Sequence, residues 1–62
     1  MRRYFEEFDF TAWRTAMGFT QRESAEALCC DIRSFQKWED AGRGPRLAVK
    51  HAELLLKLRE IA

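Results

Sequence analysis

Hydrophobic residues recur along most of the chain at intervals of three and four, which is the spacing of helices with one buried face. The first such stretch holds Phe10, Trp13 and Met17, which a helix would place on one side. Asp9 or Thr11 can cap the start of this helix, because a short oxygen-bearing side chain accepts hydrogen bonds from the free N–H groups of the first turn. The pattern predicts a first helix that ends at Met17.

Residues 21–40 carry two shorter helical patterns joined by a tight turn. Thr20 and Glu23 have the spacing of a capping box, in which each side chain binds the backbone N–H group of the other residue. The turn follows at Cys29 and Cys30, and Asp31 is a suitable N-cap for the next helix. We therefore predict a helix, a turn and a second helix in this segment.

The second of these helices is predicted to have one apolar and one polar face. Phe35, Trp38 and Glu39 fall on its inner side. The outer side carries Arg33, Gln36, Lys37 and Asp40. These side chains leave hydrogen-bonding groups available to a partner outside the protein.

The C-terminal part is predicted to be a loop followed by one long helix. Residues 41–45 contain two of the three glycines and the only proline, which marks a loop. From Pro45 or Arg46 to Glu60 the pattern is helical and has two apolar strips. No segment shows the alternation of a β-strand, so the predicted fold class is all-α with four principal helices. The strip that we expect to dock on the other helices contains Leu47, His51, Leu54, Leu55 and Leu58, and the strip beside it contains Val49, Ala52 and Leu56.

The 62 residues make one small domain, near the lower size limit for a chain that folds alone. Eight aromatic residues can compensate by forming a dense core, and a dimer is the other way to bury enough surface. Segment 1–8 contains Tyr4, Phe5 and Phe8 and is either an ordered lead-in or a flexible arm. Its aromatic residues favour the ordered lead-in.

The net charge is only +1, so overall charge does not indicate a nucleic-acid partner and the positions of the charges matter more. Arg33, Lys37, Arg43 and Arg46 lie in or just after the second central helix, whereas several glutamates lie in the flanking segments. No apolar run approaches the roughly 18 residues of a membrane span, and the N-terminus lacks a signal-peptide pattern. We expect a soluble cytoplasmic protein without a membrane partner.

Candidate chemistry is sparse. Two adjacent cysteines and one histidine fall short of the four ligands of a zinc site, and adjacent cysteines do not form an ordinary structural disulfide. His51 has no Ser, Cys or carboxylate pattern suited to catalysis. We expect reduced cysteines, no metal, no cofactor and no enzymatic activity.

One set of central residues and its flanks has a recognisable spacing. The set comprises Thr20-Gln21, Ala25, Leu28, Phe35, Trp38-Glu39, Gly42 and Pro45, and it extends through Arg14-x-x-x-Gly18 and the leucine-rich helix. These residues resemble the Cro/CI-type (xenobiotic-response-element) helix-turn-helix family of prokaryotic DNA-binding regulators. The resemblance implies a compact four- to five-helix, lambda-repressor-like DNA-binding domain over residues 1–62, with the helix-turn-helix unit at 21–40. It also implies a sequence-specific transcriptional regulator of double-stranded DNA, such as a small prokaryotic or phage repressor that binds an inverted-repeat operator as a homodimer.

The outer face of the second central helix supplies the candidate base contacts. Arg33 and Lys37 can donate to guanine O6 and N7, and Gln36 can pair with adenine. Ile32 and Ser34 flank this face, and Ile32 can touch a thymine methyl group. These five residues are the predicted base-contacting set.

Candidate phosphate contacts lie on both sides of that helix. Gln21 stands at a helix start, where its side chain and the backbone N–H groups can meet a phosphate, as the resemblance implies. Arg22, Arg43 and Arg46 are the further candidates, because phosphate contacts position a protein on DNA without reading bases.

The resemblance also implies two structural features. Arg14 and Glu39 are expected to form a partly buried ion pair that holds the first helix against the second central helix. Cys29 stands where the family usually has a glycine with a left-handed backbone, and a cysteine there costs about 1–2 kcal/mol. We expect a tolerated substitution rather than a redox sensor. Cys30 is expected in the core.

One apolar strip of the last helix remains to be covered once the other has docked. We expect Val49, Ala52 and Leu56 to form the dimer interface, and the alternative is that they pack under the aromatic N-terminal segment. An antitoxin or other protein-binding module is the competing function, acting on a partner protein through the C-terminal helix or the aromatic N-terminus. Direct DNA binding by the isolated chain distinguishes the two functions.

Overall fold

The structure is a computed structural model that describes residues 5–61, so the part of the N-terminal expectation that falls on Tyr4 lies outside it. The chain runs β1 (Phe5–Glu7), α1 (Phe10–Met17), α2 (Gln21–Ala27), α3 (Ile32–Ala41), β2 (Arg43–Pro45) and α4 (Arg46–Ile61). The expectation of a mostly helical domain with four principal helices is confirmed.

The expectation of an all-α fold without strands is wrong in one respect, because β1 and β2 form a two-stranded antiparallel sheet. Phe5 pairs with Pro45 and Glu7 pairs with Arg43. Three residues are too few to show an alternating pattern, and the glycine and proline of β2 favour a loop in any local interpretation. The strand therefore depends on its pairing partner, because β1 and β2 are far apart in the sequence and no local pattern connects them.

Helix boundaries follow the predicted capping residues. The Asp9 side chain accepts a hydrogen bond from the Ala12 N–H group at 2.9 Å, and Thr20 and Glu23 form both bonds of the capping box. Gly18 ends α1 with a left-handed backbone, at φ 75°. Asp31 occupies the N-cap position of α3, but its side chain makes no capping hydrogen bond.

Aromatic rings from α1 and α3 form the centre of the core. Phe10 and Phe35 are fully buried and meet edge to face, with 5.8 Å between ring centroids. Trp13 is also buried, and its indole N–H donates to the Ala52 carbonyl of α4 at 2.8 Å. A buried indole needs such a partner, so this bond fixes α4 against α1. The aromatic core expected for a chain of this length is therefore present.

Gly44 lets β2 approach that core closely. A Cβ atom at this position would lie 2.7 Å from Phe10 Cε2 and 3.2 Å from Trp38 Cγ. Both distances are shorter than van der Waals contact allows without movement of the rings. The glycine that favours a loop in the sequence is thus required by packing.

The two strips of α4 take the opposite positions from those expected. Val49 is 2% exposed and Ala52 is 0% exposed, so the protein's own core covers them and neither is available as a dimer interface. Leu56 is half-buried against the same core. Leu47 and Leu54, expected to dock, are 83% and 56% exposed. Small side chains allow α4 to approach near enough for the Trp13 bond, which leucines at the same positions would prevent.

Candidate nucleic-acid interface

The turn between α2 and α3 sets how these helices meet. Cys29 has a left-handed backbone with φ 57°, as the comparison with glycine implied. The Cys29 and Cys30 N–H groups donate to the Glu26 and Ala25 carbonyls at 3.1 and 2.9 Å, which closes the end of α2. Ala25 is buried, and its small side chain permits close packing of the two helices.

Cys30 packs against the core, as expected, whereas Cys29 is exposed. Burial raises the pKa of the Cys30 thiol, and the charges of Asp31 and Cys29 raise it further. A raised pKa keeps the sulfur protonated and less nucleophilic. Cys30 therefore behaves as a structural residue.

The outer face of α3 presents Arg33, Gln36 and Lys37, all of them exposed. Among residues 5–61, neither Arg33 nor Lys37 has a carboxylate within ion-pair distance. Asp40 is exposed on the same side of the helix and adds a negative charge near its C-terminal end. This face is cationic in its first two turns and mixed in its last.

Ile32 and Ser34 do not belong to that open face. Ile32 is half-buried and packs against the hydrophobic core, and Ser34 is half-buried as well. The first turn of α3 packs against the rest of the protein, so Ile32 and Ser34, which flank the outer face in the sequence, are partly covered in the fold. We therefore reduce the candidate base contacts to Arg33, Gln36 and Lys37.

Glu39 connects three helices from the inner side of α3. Its carboxylate accepts from Arg14 Nε at 2.8 Å, Thr11 Oγ1 at 3.0 Å and Gln21 Nε2 at 2.5 Å. The Glu39 side chain is only 7% exposed and that of Arg14 is 26% exposed. The pair expected from the resemblance is thus present, with two further donors.

The hydrogen bonds to Glu39 change its proton affinity. Burial by itself raises the pKa of this carboxyl, but the hydrogen bonds from Arg14, Gln21 and Thr11 outweigh it. The pKa of Glu39 lies below its ordinary value of 4.5 as a result. The carboxylate is charged at neutral pH and can hold all three donors.

Gln21 is the first residue of α2, as expected, but its side chain makes hydrogen bonds within the protein that were not expected. Its side-chain N–H group donates to Glu39, and its carbonyl oxygen accepts from Gln36 Nε2 at 3.1 Å. The amide is therefore used mainly inside the protein, where it links Glu39 to the exposed face of α3. A contact between Gln21 and a DNA phosphate stays a prediction.

The other candidate phosphate contacts differ from one another. Arg22 is exposed on α2. Arg43 lies over the Phe5 ring, 5.8 Å from its centroid, and Arg46 pairs with Glu6 at 3.2 Å. Arg43 and Arg46 thus help to hold β1 against the rest of the chain, and binding to phosphate would compete with these contacts.

Sequence analysis missed the chain of hydrogen bonds that runs from Thr11 and Arg14 through Glu39 and Gln21 to Gln36. Its members lie 15 to 28 residues apart in sequence. No helical or strand period connects such positions. The only available signal was the Arg14–Glu39 pair, which the family resemblance supplied.

Two further observations concern the described part of the chain. No three His, Cys, Asp or Glu residues among positions 5–61 come together as metal ligands. None of the helices described has the length and apolar character needed to cross a membrane. Comparison with protein-family models, with curated proteins and with solved structures finds no significant match to this chain.

Proposed function

We propose that the chain is a sequence-specific regulator that binds double-stranded DNA, with α2 and α3 acting as a lambda-repressor-like helix-turn-helix. In this proposal α3 enters the major groove and presents Arg33, Gln36 and Lys37 to the base edges. Regulation follows from occupation of a promoter, which excludes polymerase from the same DNA.

The observation that carries the proposal is the open face of α3, on which Arg33, Gln36 and Lys37 are all exposed. Arg33 and Lys37 stand four residues apart in the helix, so their cations lie about one turn apart on the same side. Two neighbouring cations beside a hydrogen-bonding amide suit an anionic partner such as DNA.

The position of Gln36 adds specificity to that charge. Its Nε2 atom donates to Gln21, which is itself held by Glu39. One N–H group and the carbonyl oxygen of Gln36 remain, and these are the two groups needed for a paired contact with adenine N7 and N6. A side chain held in this way loses less conformational freedom when it binds a base.

Selection of bound sites from a random pool of duplex DNA, followed by binding titrations on the selected site, tests the proposal. Arg33→Ala is expected to relax base preference at one position by about 1–3 kcal/mol. Lys37→Ala is expected to weaken binding and to relax base preference by about 1–3 kcal/mol at a further position. Gln36→Ala should change base preference at a different position from Arg33→Ala.

Arg59→Ala is the matched control, because Arg59 is an exposed arginine on α4 and its removal changes the net charge equally. It should leave base preference unchanged. A purified folded chain that enriches no sequence from the pool at low salt would exclude the proposal. Equal effects of Arg33→Ala and Arg59→Ala would exclude the assigned face.

Gln21→Ala separates the structural role from a phosphate role. Loss of the Gln21 amide leaves Gln36 without its partner, so the variant should alter base preference at the Gln36 position as well as affinity. A uniform loss across all DNA sequences would instead restore the simple phosphate contact.

A further inference from the structure

The side of α4 that faces away from the core carries four exposed aliphatic side chains in one row. They are 83%, 56%, 54% and 82% exposed in chain order. At about 100° per residue they fall within about 60° of one another around the helix, and the row is about 21 Å long. Monomeric proteins rarely leave so long an apolar row in water without a binding role. We call this set the outer row, and it consists of Leu47, Leu54, Leu58 and Ile61.

The charges nearest the outer row are positive. Lys50 and Lys57 are exposed and lie about 60° and 80° around the helix from the centre of the row. Glu53 and Glu60 lie about 120° and 140° from it, in the half of α4 that also holds the core contacts. Within the described helix, the outward half therefore combines an apolar row with two cations and contains no carboxylate. This charge distribution suits an anionic partner that also offers apolar surface.

The shape of this side of α4 is convex. α4 packs on α1, β1 and β2 through its opposite side, where Val49 and Ala52 are buried. The depression beside the outer row is lined by α4 alone, so no second element of the described chain forms the far wall of a groove. Every residue from Lys57 to Ile61 is exposed, so the last turn of α4 extends past the core. A lipid surface accepts such a protruding row without shape complementarity, whereas a protein partner must supply a matching groove.

We propose that the outer row and its two lysines bind an anionic lipid surface, with α4 lying in the plane of the interface. The aliphatic side chains enter the boundary between headgroups and acyl chains, about 5–10 Å deep. Lys50 and Lys57 keep their ammonium groups among the headgroup phosphates, while their methylene stems cover apolar surface beside the row. The rest of the chain stays in water on the other side of α4.

We expected no membrane partner because the sequence lacks an apolar run long enough to cross a bilayer. That criterion applies to helices that span the hydrocarbon core. A helix that lies on the surface needs one apolar side and nearby cations instead, and its binding is reversible. The two kinds of membrane association have different sequence requirements, and α4 meets the second.

The affinity for lipid should depend on both charge and apolar contact. Each lysine near an anionic surface raises the binding constant about 5-fold, and this contribution falls as salt screens the charges. The contribution of the aliphatic side chains persists at high salt, because burial of apolar surface does not depend on charge. Two lysines and four aliphatic side chains should therefore give moderate and reversible binding.

Co-sedimentation of the full chain with sucrose-loaded vesicles tests the charge requirement. Wild type should bind phosphatidylcholine vesicles that contain about 40% phosphatidylglycerol at least about 10-fold more tightly than pure phosphatidylcholine vesicles. Lys50→Gln should lower the partition coefficient on the anionic vesicles about 5-fold and leave that on neutral vesicles unchanged. Arg59→Gln is the matched control, because it removes the same charge from an exposed position about 120° from the row. It should change binding by less than about 2-fold.

Leu54→Gln tests the apolar requirement in the same assay. Replacement of one inserted leucine by a polar side chain should lower the partition coefficient about 5- to 10-fold. Glu53→Gln introduces the same side chain at the neighbouring exposed position and should cause no loss. Circular dichroism checks that each variant is folded, and Leu58→Gln replaces Leu54→Gln if that variant unfolds.

A polarity-sensitive dye on a single cysteine tests the orientation of α4 at the surface. Leu58→Cys and Glu53→Cys, each in a Cys29→Ser, Cys30→Ala background, carry the dye on opposite halves of the helix. The emission of the dye at position 58 should shift to the blue when anionic vesicles are added, and the emission at position 53 should shift much less. Equal shifts would contradict the proposed orientation.

A wild-type chain that stays in the supernatant with both kinds of vesicle would overturn the proposal, including the case in which another protein covers the outer row. Binding that survives both Leu54→Gln and Leu58→Gln would overturn it as well, because charge alone would then explain the attraction. Equal binding to neutral and anionic vesicles would remove the lysines from the site. None of these measurements involves DNA, so the lipid interaction and the proposed function can fail independently.

Discussion

α3 and α4 both place one face on the core and one face in water, yet their open faces differ in kind. α3 exposes the polar side chains of Arg33, Gln36 and Lys37. α4 instead exposes large aliphatic side chains, namely Leu47, Leu54, Leu58 and Ile61. Water favours the exposed face of α3, because charged and amide groups are well hydrated, and disfavours the exposed face of α4.

The difference also explains why one face was predicted and the other was not. The apolar arc of α3 is narrow, centred on Phe35 and Trp38, so only one orientation buries it. α4 is apolar around most of its circumference, and either strip could dock. Hydrophobicity alone favoured the larger leucines, but the fold buries Val49 and Ala52, and the Ala52 carbonyl accepts the indole N–H of Trp13.

The largest effect is expected from a matched pair of substitutions that tests which face of α4 is buried. Ala52→Asp places a charge and extra volume at a fully buried position and should destabilise the fold by about 4 kcal/mol or more. Leu54→Asp, two residues away on the open face, should cost less than about 1 kcal/mol. Thermal unfolding at low protein concentration measures both, and similar losses for the two variants would contradict the orientation of α4.

The next largest effect is expected from the hydrogen bonds to Glu39 on the inner side of α3. Glu39→Ala removes the acceptor shared by Arg14, Thr11 and Gln21 and should cost about 2–4 kcal/mol, because the half-buried Arg14 and Gln21 donors lose their common partner. Asp40→Ala, at the neighbouring exposed position, should stay within about 0.5 kcal/mol of wild type. A double-mutant cycle of Glu39→Ala with Arg14→Ala should give a coupling of about 0.5–3 kcal/mol, and strict additivity would reject the pair.

A smaller effect, an increase in stability, is expected at the turn between α2 and α3. Cys29→Gly should stabilise the fold by about 1 kcal/mol, since glycine adopts a positive φ without the steric cost borne by a side chain. Cys30→Gly is the matched control and should destabilise, because Cys30 packs against the core. Chemical denaturation under reducing conditions compares them, and a loss at Cys29→Gly would show that the thiol itself stabilises the turn.

The smallest effect concerns the pH dependence of α3 docking. The pKa of Glu39 is lowered in the folded state, so its contribution is complete above the ordinary value of 4.5 and is lost as pH falls through the lower folded pKa. Burial offsets part of the hydrogen bonding, which keeps the effect small. Glu39→Gln should flatten this portion of the stability profile, and equal profiles for wild type and variant would remove Glu39 as its source.

The sequence by itself determined the local features of this protein. The helix starts at Asp9 and Thr20 and the open face of α3 depend on residues within about one helical turn of each other. The left-handed backbone at Cys29 and the Arg14–Glu39 pair were also predictable, but only through the resemblance to a known family. These features are local, or were supplied by analogy, and so required no knowledge of how the helices are arranged.

Only the tertiary structure decided the features that join distant residues. Pairing of β1 with β2, the path from Glu39 through Gln21 to Gln36, and the choice of strip on α4 all connect positions far apart in sequence. The physical reason is that close packing and hydrogen bonding depend on which side chains meet in space, and residues far apart in the sequence can meet. The hydrogen bond from the Trp13 indole to the Ala52 carbonyl holds one side of α4 against α1, so Ala52 and Val49 face the core and Leu47 and Leu54 remain in water.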